Sequence, residues 1–204
     1  MTKTTSYQKT IKEFFERSMF LISDDYSYGY TQQECQNLWN ELLNFNIPNA
    51  DYKKFNIYDE HLVGTIITSA TDSGQTEIIS PPQKFITIFL LIKIFYEKCF
   101  TIKTEEAEVI LQTLERCIWK TDEFGNIDMR TPRVESNFTY TEQNDFYRQN
   151  REFFKRKVDE LAEKSYEGFL YFVARFLNNC ILFQIESKSK ICAKQILDSI
   201  DSLK

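Results

Sequence analysis

The chain has 204 residues, 42% of them hydrophobic and 15% aromatic, and carries a net charge of −5. That composition supports a sizeable core and excludes a largely disordered chain. The acidic balance argues against general nucleic-acid binding, and five glycines with four prolines are too few for a glycine-rich α/β fold or an immunoglobulin-like sandwich.

Met1-Thr2-Lys3-Thr4-Thr5 has no apolar signal core, and Glu13 and Glu16 come too early for a mitochondrial presequence, so a reducing, cytoplasm-type compartment is expected. From about Ser6 to Ile22 the residues Tyr7, Ile11, Phe14, Phe15, Met19 and Ile22 share one helical face, with Lys9, Lys12, Glu13, Glu16 and Arg17 opposite, which predicts an amphipathic helix. A loop with Asp24-Asp25 follows. Thr31 and Glu34 have capping-box spacing and open a helix carrying Cys35, Leu38, Trp39, Leu42 and Leu43. Pro48 stops it, and 51–63 reads as a short irregular helix. Thr65 to Thr68 and Thr76 to Ile79 flank the turn-rich Thr71-Asp72-Ser73-Gly74-Gln75, which predicts one β-hairpin over 65–79. A hairpin alone is marginal in water, so it must pack on helices or join a sheet, of this chain or of a partner.

The run Phe85 to Phe95 is the most hydrophobic in the chain and is apolar on both faces, so its period is silent on helix or strand. A strand of that length would be about twice the usual one. Ser80, Pro81 and Gln83 form a helix-start signature, which predicts a central helix over about 81–99. It is too short to span a bilayer, which needs about 20 apolar residues, and Thr87 and Lys93 interrupt it. Thr104 caps the next helix, which runs to about Trp119 with Ala107, Ile110, Leu111, Leu114 and Cys117 inward. Its acids at the start and Arg116 and Lys120 at the end suit the helix dipole, and the short connector makes it an antiparallel partner of the central helix.

Residues 121–139 have no sustained period and read as the longest loop. Thr139 and Glu142 signal a helix over about 141–164, an apolar stretch from Tyr166 to Phe183, with Gly168 near its start, reads as its continuation through a kink, and a last stretch runs from Ile185 to Leu203.

The chemistry-bearing motifs are weak. Asp72-Ser73-Gly74 matches one aspartic-protease triplet, but that chemistry needs two, and the triplet is ordinary turn sequence. Asp24-Asp25 and Asp122-Glu123 are paired acids without convergent partners. His61 is the single histidine, no phosphate-binding or nucleophile-elbow motif occurs, and the five cysteines form no metal-type pair. No metal or cofactor is expected. The polar feature that stands out is a stripe on the 141–164 helix, Arg148, Arg151 and Lys155, with Arg130 and Arg133 upstream and Phe138, Tyr140 and Tyr147 nearby. Acids dilute it, and pairing with Glu152 and Asp159 would make it a solvated face. Helices at 31–45 and about 50–62 followed by the hairpin have winged-helix order, but that recognition helix would carry net negative charge.

Together these readings predict a mainly α protein, a bundle of about six to seven helices around the 81–99 helix with one hairpin. It forms one domain, divisible into 1–120 and 140–204. With 18 phenylalanines and 11 tyrosines, more than such a core obviously needs, the expected function is non-catalytic protein–protein interaction, as a subunit, adaptor or inhibitor. The partner is another protein chain or a second copy. The alternative is a nucleic-acid accessory protein using the basic stripe.

Overall fold

A six-stranded mixed sheet, in strand order β1-β8-β3-β4-β2-β7, carries the molecule. The computed structural model describes residues 4–22, 26, 28–46, 59–136 and 145–201. In chain order the elements are β1 Thr5–Thr10, α1 Ile11–Glu16, β2 Phe20–Ile22, α2 Gln32–Asn46, β3 His61–Ala70, β4 Thr76–Ser80 and α3 Pro82–Cys99. Then come α4 Glu105–Ile118, β5 Trp119–Thr121, β6 Ile127–Pro132, β7 Val134–Ser136, α5 Asp145–Lys164, α6 Tyr166–Asn179, β8 Cys180–Ser187 and α7 Lys190–Asp201. About 57% of the described chain is helix and 25% strand, so the protein is a mixed α/β fold and not the expected mainly α bundle with one hairpin.

The expected hairpin exists, as antiparallel β3 and β4, with Gly74 at φ 79° in its turn, where a side chain would be strained. The sheet it joins lies in this chain. β8 pairs parallel with β3, β1 pairs antiparallel with β8, and β2 pairs parallel with both β4 and β7. The winged-helix reading fails here, because β3 sits between β4 and β8 instead of projecting as a wing. His61, Leu62 and Val63 are also strand, not the end of a helix, while 51–58 lie outside the described residues.

The expected helix over 6–22 is three elements. Thr10 ends β1 and caps α1, its Oγ1 accepting from the Glu13 N–H at 3.1 Å while Glu13 accepts from the Thr10 N–H. The helical spacing survives only over Ile11, Phe14 and Phe15, and pairing with β8 makes the preceding residues a strand. At the other end of the chain, the stretch from Tyr166 starts a separate helix, not a kinked continuation, because Ser165 caps it at the Gly168 N–H. It ends at Cys180, whose backbone is extended, and β8 takes the apolar residues from Cys180 on. The expected long loop over 121–139 holds β6, β7 and the end of β5, with residues from 137 outside the description. β5 and β6 form a two-stranded sheet, and β7 is an edge strand of the large one.

The central helix is present, with a different start. Ser80 belongs to β4, Pro81 is the cap residue, and no side chain caps the helix. Thr104 does cap α4, accepting from the Ala107 N–H at 3.2 Å. The Thr31–Glu34 box also forms, with Thr31 N–H donating to Glu34 at 2.7 Å. The Thr139–Glu142 signal lies outside the described residues.

Strand alternation divides the sheet into two faces. Phe20, Ile22, Ile66, Ile78 and Leu182 face inward and join one hydrophobic cluster with residues of α1 to α6. Aromatic rings dominate it: Phe85 lies 5.3 Å from Phe15 and 5.1 Å from Phe20, and Phe95 lies 5.2 Å from Phe176 and 5.8 Å from Phe172. Residues from both expected halves, such as Phe95 and Phe169, meet in it. Ile67, Ile181 and Ala193 are buried outside that cluster. Glu77 neighbours inward Ile78 and therefore points the other way, and its contact with Lys190 at 2.5 Å places α7 on the outer face. No helix among the described residues is long and apolar enough to cross a membrane.

Candidate functional site

α5 places the basic stripe beside α3, and that neighbour consumes much of its charge. Arg151 donates from Nη2 to both carboxylate oxygens of Glu97, each at 2.9 Å. Arg148 pairs with Asp145 at 2.7 Å. Lys155 stands exposed and lines a small cleft between α3 and α5 with Glu97, Lys98 and Asp159. Asp159 of α5 pairs with Lys98 of α3 at 2.7 Å, and the acid that α3 gives to the stripe is Glu97, at Arg151. Arg133 is separated from the stripe altogether. It is buried, and its Nε donates to the Arg116 carbonyl at 2.5 Å and its Nη2 to Thr121 Oγ1 at 2.9 Å. Phe138 and Tyr140 lie outside the described residues, and Tyr147 is buried, 5.9 Å from Tyr28.

The remaining motifs have local explanations. Asp122 accepts from the Phe124 and Asn126 N–H groups and from Asn126 Nδ2, at 2.8 to 2.9 Å, and so builds the β5–β6 turn. These bonds, Asn126's first, draw its carboxyl below the ordinary range. Thr71 and Gln75 close the hairpin turn around Asp72-Ser73-Gly74, with Thr71 N–H donating to the Gln75 carbonyl at 2.9 Å. His61 Nε2 meets Glu41 Oε1 at 2.7 Å and its ring stacks on Phe45 at 4.9 Å, which ties β3 to α2. Burial pushes the thiols of Cys35, Cys99 and Cys180 up to about 12, and Cys117 higher still, so none of the four is an activated nucleophile. No group of three or more metal-ligating side chains converges among the described residues, and Asp24-Asp25 lie outside them.

Two concave surfaces are lined mainly by apolar residues with little charge. One is a groove of about 430 Å³ between α4 and α6. Ile110 and Leu170 line it together with Tyr166 and Tyr171, and Glu106 and Glu167 supply its charge. Neither glutamate makes an ion pair among the described residues, although the Tyr166 hydroxyl reaches Glu167 at 3.5 Å. Tyr166, one of its lining residues, is 48% exposed, and Val109, next to Ile110 in α4, is 66% exposed. The second is a cavity of about 320 Å³ where α3 and α5 meet β7 and the Ile118–Trp119 corner. Phe85, Phe89, Trp119, Val134 and Tyr147 line it, with Lys93 as its charged residue.

Sequence reasoning missed both surfaces. The groove had a signal: Glu106 and Ile110 on α4, and Tyr166, Leu170 and Ala174 on α6, recur every four residues as facing stripes. Reading the whole α4 stripe as core concealed it, since Ile110 is only half-buried. The surplus of aromatics misled in the other direction. Ten of the 18 phenylalanines are buried among the described residues, which assigns most of them to the core.

No protein-family model matches the sequence, and no curated protein matches it either.

Proposed function

We propose that this chain is a non-catalytic interaction protein, a subunit, adaptor or inhibitor, whose docking surface is the groove between α4 and α6. The observation that carries the reading is the charge of that groove. Two glutamates that make no ion pair among the described residues line it with apolar side chains, so the complementary occupant is an amphipathic segment presenting Lys or Arg beside aliphatic residues. Tyr166 and Tyr171 at the rim fit the aromatic enrichment of protein interfaces. The nucleic-acid reading is weaker, because Arg148 and Arg151 are already ion-paired, and among the described residues Lys155 alone of the stripe is not.

The test starts with solution mass and affinity capture of the purified chain, then repeats capture with Glu106→Lys and Glu167→Lys combined. The reading expects a captured basic partner that the double variant releases while circular dichroism shows it natively folded, with a small loss of melting temperature because both cations fall in helix first turns. A protease-resistant monomer that captures nothing, or capture indifferent to the charge reversal, would sink it.

A further inference from the structure

Two polar residues interrupt the apolar run of α3, and only one of them has an internal purpose. The Thr87 hydroxyl donates to the Gln83 carbonyl at 2.8 Å and meets the Tyr28 hydroxyl, also at 2.8 Å. Asn150 Nδ2 completes the network, donating to Tyr28 Oη at 3.0 Å and to the Tyr30 carbonyl at 2.6 Å. Lys93 has no such role. It makes no hydrogen bond or ion pair among the described residues. Glu97, one helical turn on, is its natural i,i+4 partner, but both oxygens of that carboxylate are held by Arg151.

Lys93 is the charged residue in the walls of the 320 Å³ cavity, whose other lining residues are aromatic or aliphatic. That volume equals roughly ten waters' share of liquid, at the lower end of small-ligand sites. Aromatic walls with one convergent polar group are the usual make-up of such a site. We infer that this cavity binds a small amphiphilic monocarboxylate, its carboxylate at Lys93 and its aromatic or alkyl body against Phe89, Trp119 and Val134, which keep accessible surface there. A single ammonium matches a monoanion. A phosphate dianion calls for the multiple donors and forked geometry that Arg151 has already committed to Glu97. Lys93 is exposed, and the protein packed against part of it lowers its pKa, with Glu97 opposing and Arg151 adding to the shift; the negative charge of a bound carboxylate offsets that shift. The inference is independent of the α4–α6 groove, which shares no lining residue with this cavity.

Three probes of one shape decide it: 4-phenylbutyrate, 4-phenylbutanol and 4-phenylbutylammonium, each titrated into the full chain. Trp119 lines the cavity and reports by fluorescence, while Trp39 is packed between Phe154 and Phe172 elsewhere. The expected result is a saturable change with the carboxylate, at least ten-fold weaker binding of the alcohol and weaker still of the ammonium. Trp119→Phe removes the signal. Lys93→Met, which keeps the stem and loses the charge, brings the carboxylate down to the alcohol's affinity and leaves the alcohol unchanged. Lys93→Gln, checked by circular dichroism for native folding, gives the same levelling. No saturable change with any probe, equal binding of all three, or a carboxylate preference that survives both Lys93 variants overturns the inference.

Discussion

The two faces of the six-stranded sheet are built by different means. The inner face meets a continuous cluster of large side chains drawn from six helices, with Phe14, Phe15, Phe20, Phe85 and Phe95 fully buried in it. The outer face is covered by α7, with Ile67, Ile181 and Ala193 buried and one ion pair, Glu77–Lys190. Stability within one molecule follows this kind of asymmetry, since regions with few buried apolar contacts open at lower free energy than the core. The inner layer is fixed by area and shape, and the outer layer by a single short helix.

The sharpest test sits on one strand. Ile66 and Ile67 are neighbours on β3, 0% and 3% exposed, and point to opposite faces. Truncation to Ala creates a cavity in either case, within a range of about 2–5 kcal/mol. Ile66→Ala is expected at the upper end and to shift the global unfolding midpoint by all of it. Ile67→Ala is expected to lose less globally and to speed amide exchange in α7 selectively. Phe95→Ala, which removes the ring touching Phe169, Phe172 and Phe176, belongs with the inner set at about 3–5 kcal/mol. Equal global losses from Ile66→Ala and Ile67→Ala, with α7 protected throughout, would erase the distinction between the faces.

Polar contacts give the next tier. Asn150 is 0% exposed, and Asn150→Ala strands the Tyr30 carbonyl and weakens the hold on Tyr28, at a cost of about 1–3 kcal/mol read from urea midpoints. On the outer face, Lys190→Met leaves the mostly buried Glu77 carboxylate without its cation. The expected loss is about 1 kcal/mol, because Lys190 itself is half-exposed and solvent screens the pair. Its signature is faster exchange in α7 with core exchange unchanged. A core-wide increase would mean that α7 and the inner layer unfold as one unit.

The same asymmetry explains what could be read from the sequence. Elements that declare their ends with side chains were legible: Thr31 with Glu34 and Thr104 both cap the helices expected of them, and the 65–79 hairpin carried its own turn. Strands made by long-range pairing were not. β1 is a strand because β8, about 175 residues on, hydrogen-bonds to it, and nothing within Thr5–Thr10 encodes that. β8 is apolar on consecutive residues because helices cover both sides of the sheet, so it lacks the alternation that marks a half-exposed strand. Ser80 had the residue type of a cap but is occupied as the last residue of β4. The basic stripe on α5 was visible in the sequence, whereas its neutralisation by Glu97 of α3 was not, since that contact spans 54 positions.

The smallest expected effect concerns Glu16, where α1 ends against α4 and the Arg133 side chain. Burial raises its carboxyl above the ordinary 4.5, against the opposing pull of Lys12, Arg116 and Arg133, and Oε1 is buried without a hydrogen-bond partner. A carboxyl with a raised folded pKa holds its proton more tightly in the native state than in the unfolded chain. Native stability therefore falls as pH rises from the unfolded pKa through the folded one, and the loss is complete above the latter. Glu16→Gln removes the charge and with it that loss. The variant is expected to be slightly more stable than the parent at pH 7, with the gain vanishing below pH 4.5. Urea midpoints for both proteins at pH 7 and pH 4 measure it. A variant less stable than the parent at pH 7 would mean that attraction to Arg116 and Arg133 outweighs burial. A gain that persists at pH 4 would mean that the charge is not its source.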